Sequence, residues 1–150
     1  MSGLLGFAGF LGSIFCHLTS SVAGGEAGSV AFALAREQIS LATWAVTLPG
    51  LSVWAASMLG LCLVGFLPWR SDRGVQGALL LVVLIVMNAW LQIVPVGEEL
   101  LSLTRQQAEV SLLAALKRRE DVAGGVNLLL TLAVVLLLLR SGMSERRPLM

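Results

Sequence analysis

His17 is the only histidine in 150 residues, and it lies in the uncharged run "GFLGSIFCHLTSS". An imidazole in such a place can ligate a metal, handle a proton or hold the polar part of a ligand. Partners for that chemistry are few. Asn88 and Asn127 are carboxamides set in apolar stretches, and Met58, Cys62 and Met87 are soft donors of the kind that suits Cu(I). With His17 these three sulfur residues are the metal candidates. Haem would ask for a second axial histidine or a well-placed methionine, and no second histidine exists, so bis-histidine haem within one chain is excluded. Neither a Ser-His-Asp set nor paired carboxylates occur, and "GEAGS" lacks the lysine of a phosphate-binding loop, so no enzyme is indicated. Cys16 and Cys62 have no C-x-x-C or zinc-type spacing and read as unreactive buried thiols.

The elements that must position these residues are apolar helices. Hydrophobic residues make up 57% of the chain and charged residues 13%, a balance far outside soluble averages, and no basic face exists to meet a nucleic acid. A bilayer core takes about 20 predominantly apolar residues per helix. Four intervals supply them: 3–23, 39–69, 74–95 and 122–139. Helix is expected to run on from the first span through "GGEAGSVAFALA" to Arg36, and Pro49-Gly50 is expected to kink the second. Residues 98–119 read as one extramembrane amphipathic helix, with Glu98 and Glu99 opening it and Lys117, Arg118 and Arg119 closing it in the order the helix dipole favours. Its apolar face is expected to pack under residues 24–45, the alternative being that it lies on the lipid surface. "SVA" before Gly24 resembles a signal-cleavage site, but the basic leader is missing and the first helix is read as retained.

The fold class expected is therefore all-α: an integral membrane four-helix bundle, with an extramembrane amphipathic helix between spans 3 and 4. Arg70, Arg73, Arg140, Arg146 and Arg147 fall on one side and Arg36, Arg105, Lys117, Arg118 and Arg119 on the other. The plain count ties, but the tight "RSDR" turn and the bases abutting spans favour cytoplasmic termini.

Small residues mark where helices meet in lipid. Gly6, Gly9, Ser13, Ser20, Gly24 and Gly28 form such a stripe with His17 on it, and Ala42, Ala45, Pro49, Ser52, Ala56 and Gly60 form a second. At about 1.5 Å per residue, His17, Asn88 and Asn127 each lie near 20 Å from the cytoplasmic ends of their helices. A polar layer at that level is expected, with Ser52 or Ser57 contributing, Gln92 one turn further out and Thr131 one turn below. Trp69 fits an aromatic belt, while Trp54 and Trp90 fall deeper and are candidates to line a cavity beside His17. The candidate ligand-binding set is His17, Asn88, Asn127, Ser52, Trp54 and Gln92.

Asn88-Ala89-Trp90 followed by Pro95, an amphipathic stretch and then "GGVN" at 124–127 resembles small four-helix membrane families of unknown function. These are the copper-resistance D-like domains and the transmembrane family linked to cisplatin resistance. The resemblance implies four helices, short cytoplasmic turns and an outward helical extension between the last two. The function expected is a non-enzymatic small-ligand-binding or complex-forming module in the bilayer, without a resident cofactor. The alternative is a small transporter or copper-export component acting as a homo-oligomer, or as part of a larger membrane complex.

Overall fold

The structure, a computed structural model, describes residues 2–144, with side chains as far as residue 141. Arg146 and Arg147, used above in the charge count, lie outside the described residues. Among the described residues every regular element is helical: α1 (Ser2–Ala23), α2 (Val30–Leu63), α3 (Arg73–Arg105) and α4 (Val110–Ser144). All four are long and apolar enough to cross a membrane.

Helix α1 does not continue to Arg36. Gly25 and Gly28 take positive φ of 62° and 88°, reversing the chain where other side chains would be strained. Ser29 then caps α2, its hydroxyl oxygen accepting the Phe32 N–H at 3.0 Å. Helix α2 therefore starts nine residues before the expected span and runs antiparallel to α1.

Inside α2 a wide π turn, Thr43–Thr47, stands just before Pro49. Proline lacks an N–H and its ring crowds the carbonyl four residues back, and one wide turn relieves both problems without breaking the helix. Thr43 and Thr47 help, their hydroxyls donating to the Ile39 and Ala42 carbonyls at 2.8 and 3.2 Å. Helix α3 repeats the device, with a π turn at Ala89–Ile93 before Pro95. The windows "TWAVTLP" and "AWLQIVP" share tryptophan and proline at the same spacing. Because α2 and α3 run in opposite directions, their tryptophans meet: the Trp44 and Trp90 rings stand 6.3 Å apart, edge to face at 77°.

Residues 98–119 are not one helix. Residues 98–105 finish α3, residues 110–119 begin α4, and Gln107 with φ of 54° turns the chain between them. The apolar positions read as a single face are the facing sides of a helical hairpin. With the start of α2 they enclose a small core of Phe32, Leu100 and Leu113. At 22 residues α1 is about 33 Å long, against about 50 Å for the other three, so that core continues past its end as a three-helix cap. Across the cap, Arg105 grips Glu37 with two 2.8 Å bonds.

The main core joins Phe10, Leu51, Trp54, Met58, Ala78, Val82, Ile85, Ala89 and Val134. Here α1 crosses α2 with backbones in contact: a Cβ on Gly50 would lie 2.9 Å from the Phe10 nitrogen, and one on Gly6 would lie 2.7 Å from the Trp54 nitrogen.

At the opposite end from the cap, Asp72 accepts the Gly74 N–H at 2.6 Å, the Val75 N–H at 3.3 Å and the Ser141 hydroxyl at 3.0 Å. One carboxylate thereby starts α3 and ties it to the end of α4. Desolvation alone would raise its pKa, but these donors outweigh it and hold Asp72 below the usual carboxylate range. A depressed folded-state pKa stabilises above the unfolded value, about 3.9, and that stabilisation is lost as pH falls through the folded one. The melting temperature is therefore expected to drop as pH is taken below about 4. Asp72→Asn should flatten that decline, and an unchanged pH profile would show that the carboxylate contributes nothing.

Candidate functional site

Helix α1 packs along α2, and α4 along α3, whereas α1 and α4 stay apart. Between them lies a cavity of about 420 Å³. Its deep end is apolar, walled by Phe10 and Ile14 of α1, Leu48 of α2 and Leu128 of α4. Ser13 offers no free donor there, since its hydroxyl donates to the Phe10 carbonyl at 2.7 Å.

His17 stands at mid-height, half-buried, with Nε2 at 3.3 Å from the Thr43 hydroxyl and 3.4 Å from that of Thr47. Each hydroxyl spends its single proton on a backbone carbonyl, so both oxygens face the ring as acceptors. A ring with its proton on Nε2 suits both acceptors and leaves Nδ1 bare. Since the threonines keep their own partners, His17→Ala is expected to lower stability by only about 1 kcal/mol or less. A larger loss in thermal unfolding would assign the ring a structural role.

Opposite His17, Asn127 completes the middle level. Asn88 Nδ2 donates to Asn127 Oδ1 at 2.8 Å and to the Ala123 carbonyl at 2.9 Å, and Thr131 donates to the Asn127 carbonyl at 2.7 Å. The hydrogen bonds form two separate groups, His17 with Thr43 and Thr47 and Asn88 with Asn127, rather than the single connected layer expected. His17 and Asn127 both line the cavity; Asn88 supports Asn127 from behind.

Toward the cap the cavity becomes charged. Arg36 of α2 is 2% exposed and pairs through its NH1 with Glu120 Oε2 of α4. Its guanidinium also lies 5.5 Å from the centroid of Phe32. Lys117 holds Asp121 at 3.1 Å on the same helix, and Asp121 receives a long 3.5 Å bond from Ser21 of α1. Arg36 Nε is buried and has no partner.

Three expected ligand residues lie elsewhere. Trp54 is in the main core, stacked on Phe10 with ring centroids 5.7 Å apart. Ser52 is exposed on the outside of α2. Leu51, Trp54, Met58 and Cys62 face inward, whereas the small-residue stripe through Ala45, Pro49, Ser52 and Ala56 lies on the opposite, exposed side of α2. Gln92 is also exposed, accepting from Arg119 at 2.9 Å, because it falls inside the second π turn. Of the metal candidates, Met58 and Cys62 are buried in α2, while Met87 is exposed on α3. Met58 is eleven residues beyond Thr47, about 16 Å along the helix from the level of His17, too far to share an ion with it. Among the described residues no three His, Cys, Asp or Glu side chains group as a metal site.

Arg36 and Glu120 were missed as site residues because charges flanking apolar runs ordinarily read as solvated ends. One signal was available: Arg36 follows Phe32 and Ala35 on the face that continues to Ile39 and Thr43, all of them buried. Comparisons with protein-family models, curated proteins and solved structures found no match for this chain.

Proposed function

We propose that the chain is a multi-pass membrane protein whose four helices cross the bilayer, with the cap outside it and the Asp72 end in the cytoplasm. Its function on this reading is to bind a small ligand, without chemistry, in the space between α1 and α4. The outer surface supports the membrane part. Leu5, Phe15, Leu59, Leu80, Leu91, Leu129 and Leu136 are exposed around the girth, a distribution suited to lipid rather than water. Arg70, Arg73 and Arg140 at the Asp72 end agree with a cytoplasmic placement.

The observation that carries the binding reading is the cavity itself. Small-molecule sites are typically about 300–1,000 Å³, mostly apolar, with a few convergent polar groups. This one matches in size, in its apolar deep end and in its cluster of His17, Asn127, Arg36 and Glu120. Apolar helices gain no hydrophobic force from one another in lipid, so a gap between two of them is filled by lipid or ligand rather than squeezed shut.

Mass spectrometry of the organic extract of the purified protein tests this. Wild type should carry one amphiphilic compound at near-stoichiometric amount. Gly124→Phe, placed where an added Cβ meets nothing within 4 Å, should exclude it while remaining folded. Identical extracts from both would contradict the reading.

A further inference from the structure

Resting on that reading, we infer that the ligand is a single-chain amphiphile with an oxyanion head, which enters sideways between α1 and α4 and places its head on Arg36. The first ground is the unpaired donor. Arg36 is 2% exposed, its NH1 is committed to Glu120, and Nε finds no acceptor in the protein. A buried N–H without a partner is costly. Nε is shielded from the cavity by its neighbours, so the head must draw the guanidinium toward it, and a carboxylate or phosphate oxygen then removes that cost with a charge-assisted bond. Glu120 and Asp121 line the same end and balance Arg36 and Lys117, so the preference rests on the unpaired donor, which a cationic head would leave without an acceptor.

The second ground is the order of polarity along the cavity. Arg36 and Lys117 stand at the cap end, about where the 22 residues of α1 reach the far side of a bilayer of about 30 Å. Phe10, Ile14, Leu48 and Leu128 lie deeper. An amphiphile with its head at the interface and its chain in the hydrocarbon has the same order. The size of the space favours one chain over two.

The third ground is the mouth. Leu18 and Val22 of α1 line the cavity and are exposed, and Gly125 of α4 forms the other lip with nothing within 4 Å of an added Cβ. Above the lips the sole polar tie across the opening among the described residues is the long Ser21 to Asp121 bond. Apolar lips admit a molecule dissolved in lipid more readily than one dissolved in water.

Native mass spectrometry in nanodiscs, with three probes of equal chain length, tests the inference: a fatty acid, a monoalkyl phosphate and an alkyltrimethylammonium. The two oxyanion heads should bind at least tenfold more tightly than the ammonium, and whichever is tighter identifies a carboxylate or a phosphate as the natural head. Arg36→Lys keeps a cation for Glu120 but removes Nε, and should reduce the preference to about twofold. The double variant Arg36→Met with Glu120→Leu should abolish it while the chain still binds. Equal binding of all heads, preference for the ammonium, or displacement by inorganic phosphate would overturn the inference and leave the binding reading standing. Binding of no amphiphile, together with an empty organic extract, would overturn both.

Discussion

Glu120→Ala is expected to destabilise the protein by about 3–5 kcal/mol, because it strands the Arg36 guanidinium in a site from which water is nearly absent. The carboxylate it removes is not matched by any other acid bonded to Arg36. Glu120→Gln should fall between, keeping an acceptor but not the charge. Replacing both partners, Arg36→Met with Glu120→Leu, should cost little or even stabilise, since two desolvation penalties disappear together. A buried pair that stability alone would replace with apolar side chains is the kind of feature that a ligand site retains. Reversible unfolding in detergent measures all three variants. Glu120→Ala at wild-type stability would show that Arg36 finds water or another partner and that the pair is not buried in effect.

Gly50→Leu is expected to cost about 3 kcal/mol and to empty the cavity of ligand as well. The added Cβ would meet backbone on three sides: the Phe10 nitrogen at 2.9 Å, the Gly6 carbonyl oxygen at 3.1 Å and the Gly9 carbonyl carbon at 3.3 Å. No side chain can turn aside, so α1 must move as a body. That movement separates Phe10 from Trp54 and carries Ser13, Ile14 and His17 away from α2. Gly12→Leu is the matched control, because its Cβ projects into open space away from the cavity and leucine favours helix over glycine by roughly 1 kcal/mol. A shared loss of stability in both variants would point to glycine flexibility rather than helix contact.

Long uncharged runs were enough to locate the four helices, because few other structures satisfy a backbone in hydrocarbon. Counting residues along α3 and α4 put Asn88 and Asn127 at one level, and their side chains are hydrogen-bonded. The reading of faces failed on α2. The small residues Ala45, Pro49, Ser52 and Ala56 read as the contact face of α2, but they are exposed, and the larger Leu51, Trp54 and Met58 make the core. The cue to the π turns was the shared Trp-to-Pro spacing in 43–49 and 89–95, visible only when the two windows are set side by side. The break at Gln107 had no such cue: "TRQQAE" contains neither glycine nor proline, and a non-glycine residue at positive φ is uncommon. Arg36 and Glu120 are 84 residues apart, and nothing local to either reveals that the hairpin of α3 and α4 brings them together.

The most direct test is to find where a membrane-dissolved chain touches the protein. A fatty acid bearing a photoreactive diazirine near its terminal methyl is mixed into nanodiscs, illuminated, and its adducts mapped by peptide mass spectrometry. The cavity account expects adducts concentrated on Phe10, Ile14, Leu48 and Leu128, and competed away by unlabelled fatty acid. Adducts spread over Leu80, Leu129 and Leu136 in proportion to their exposure, and unaffected by competitor, would contradict it.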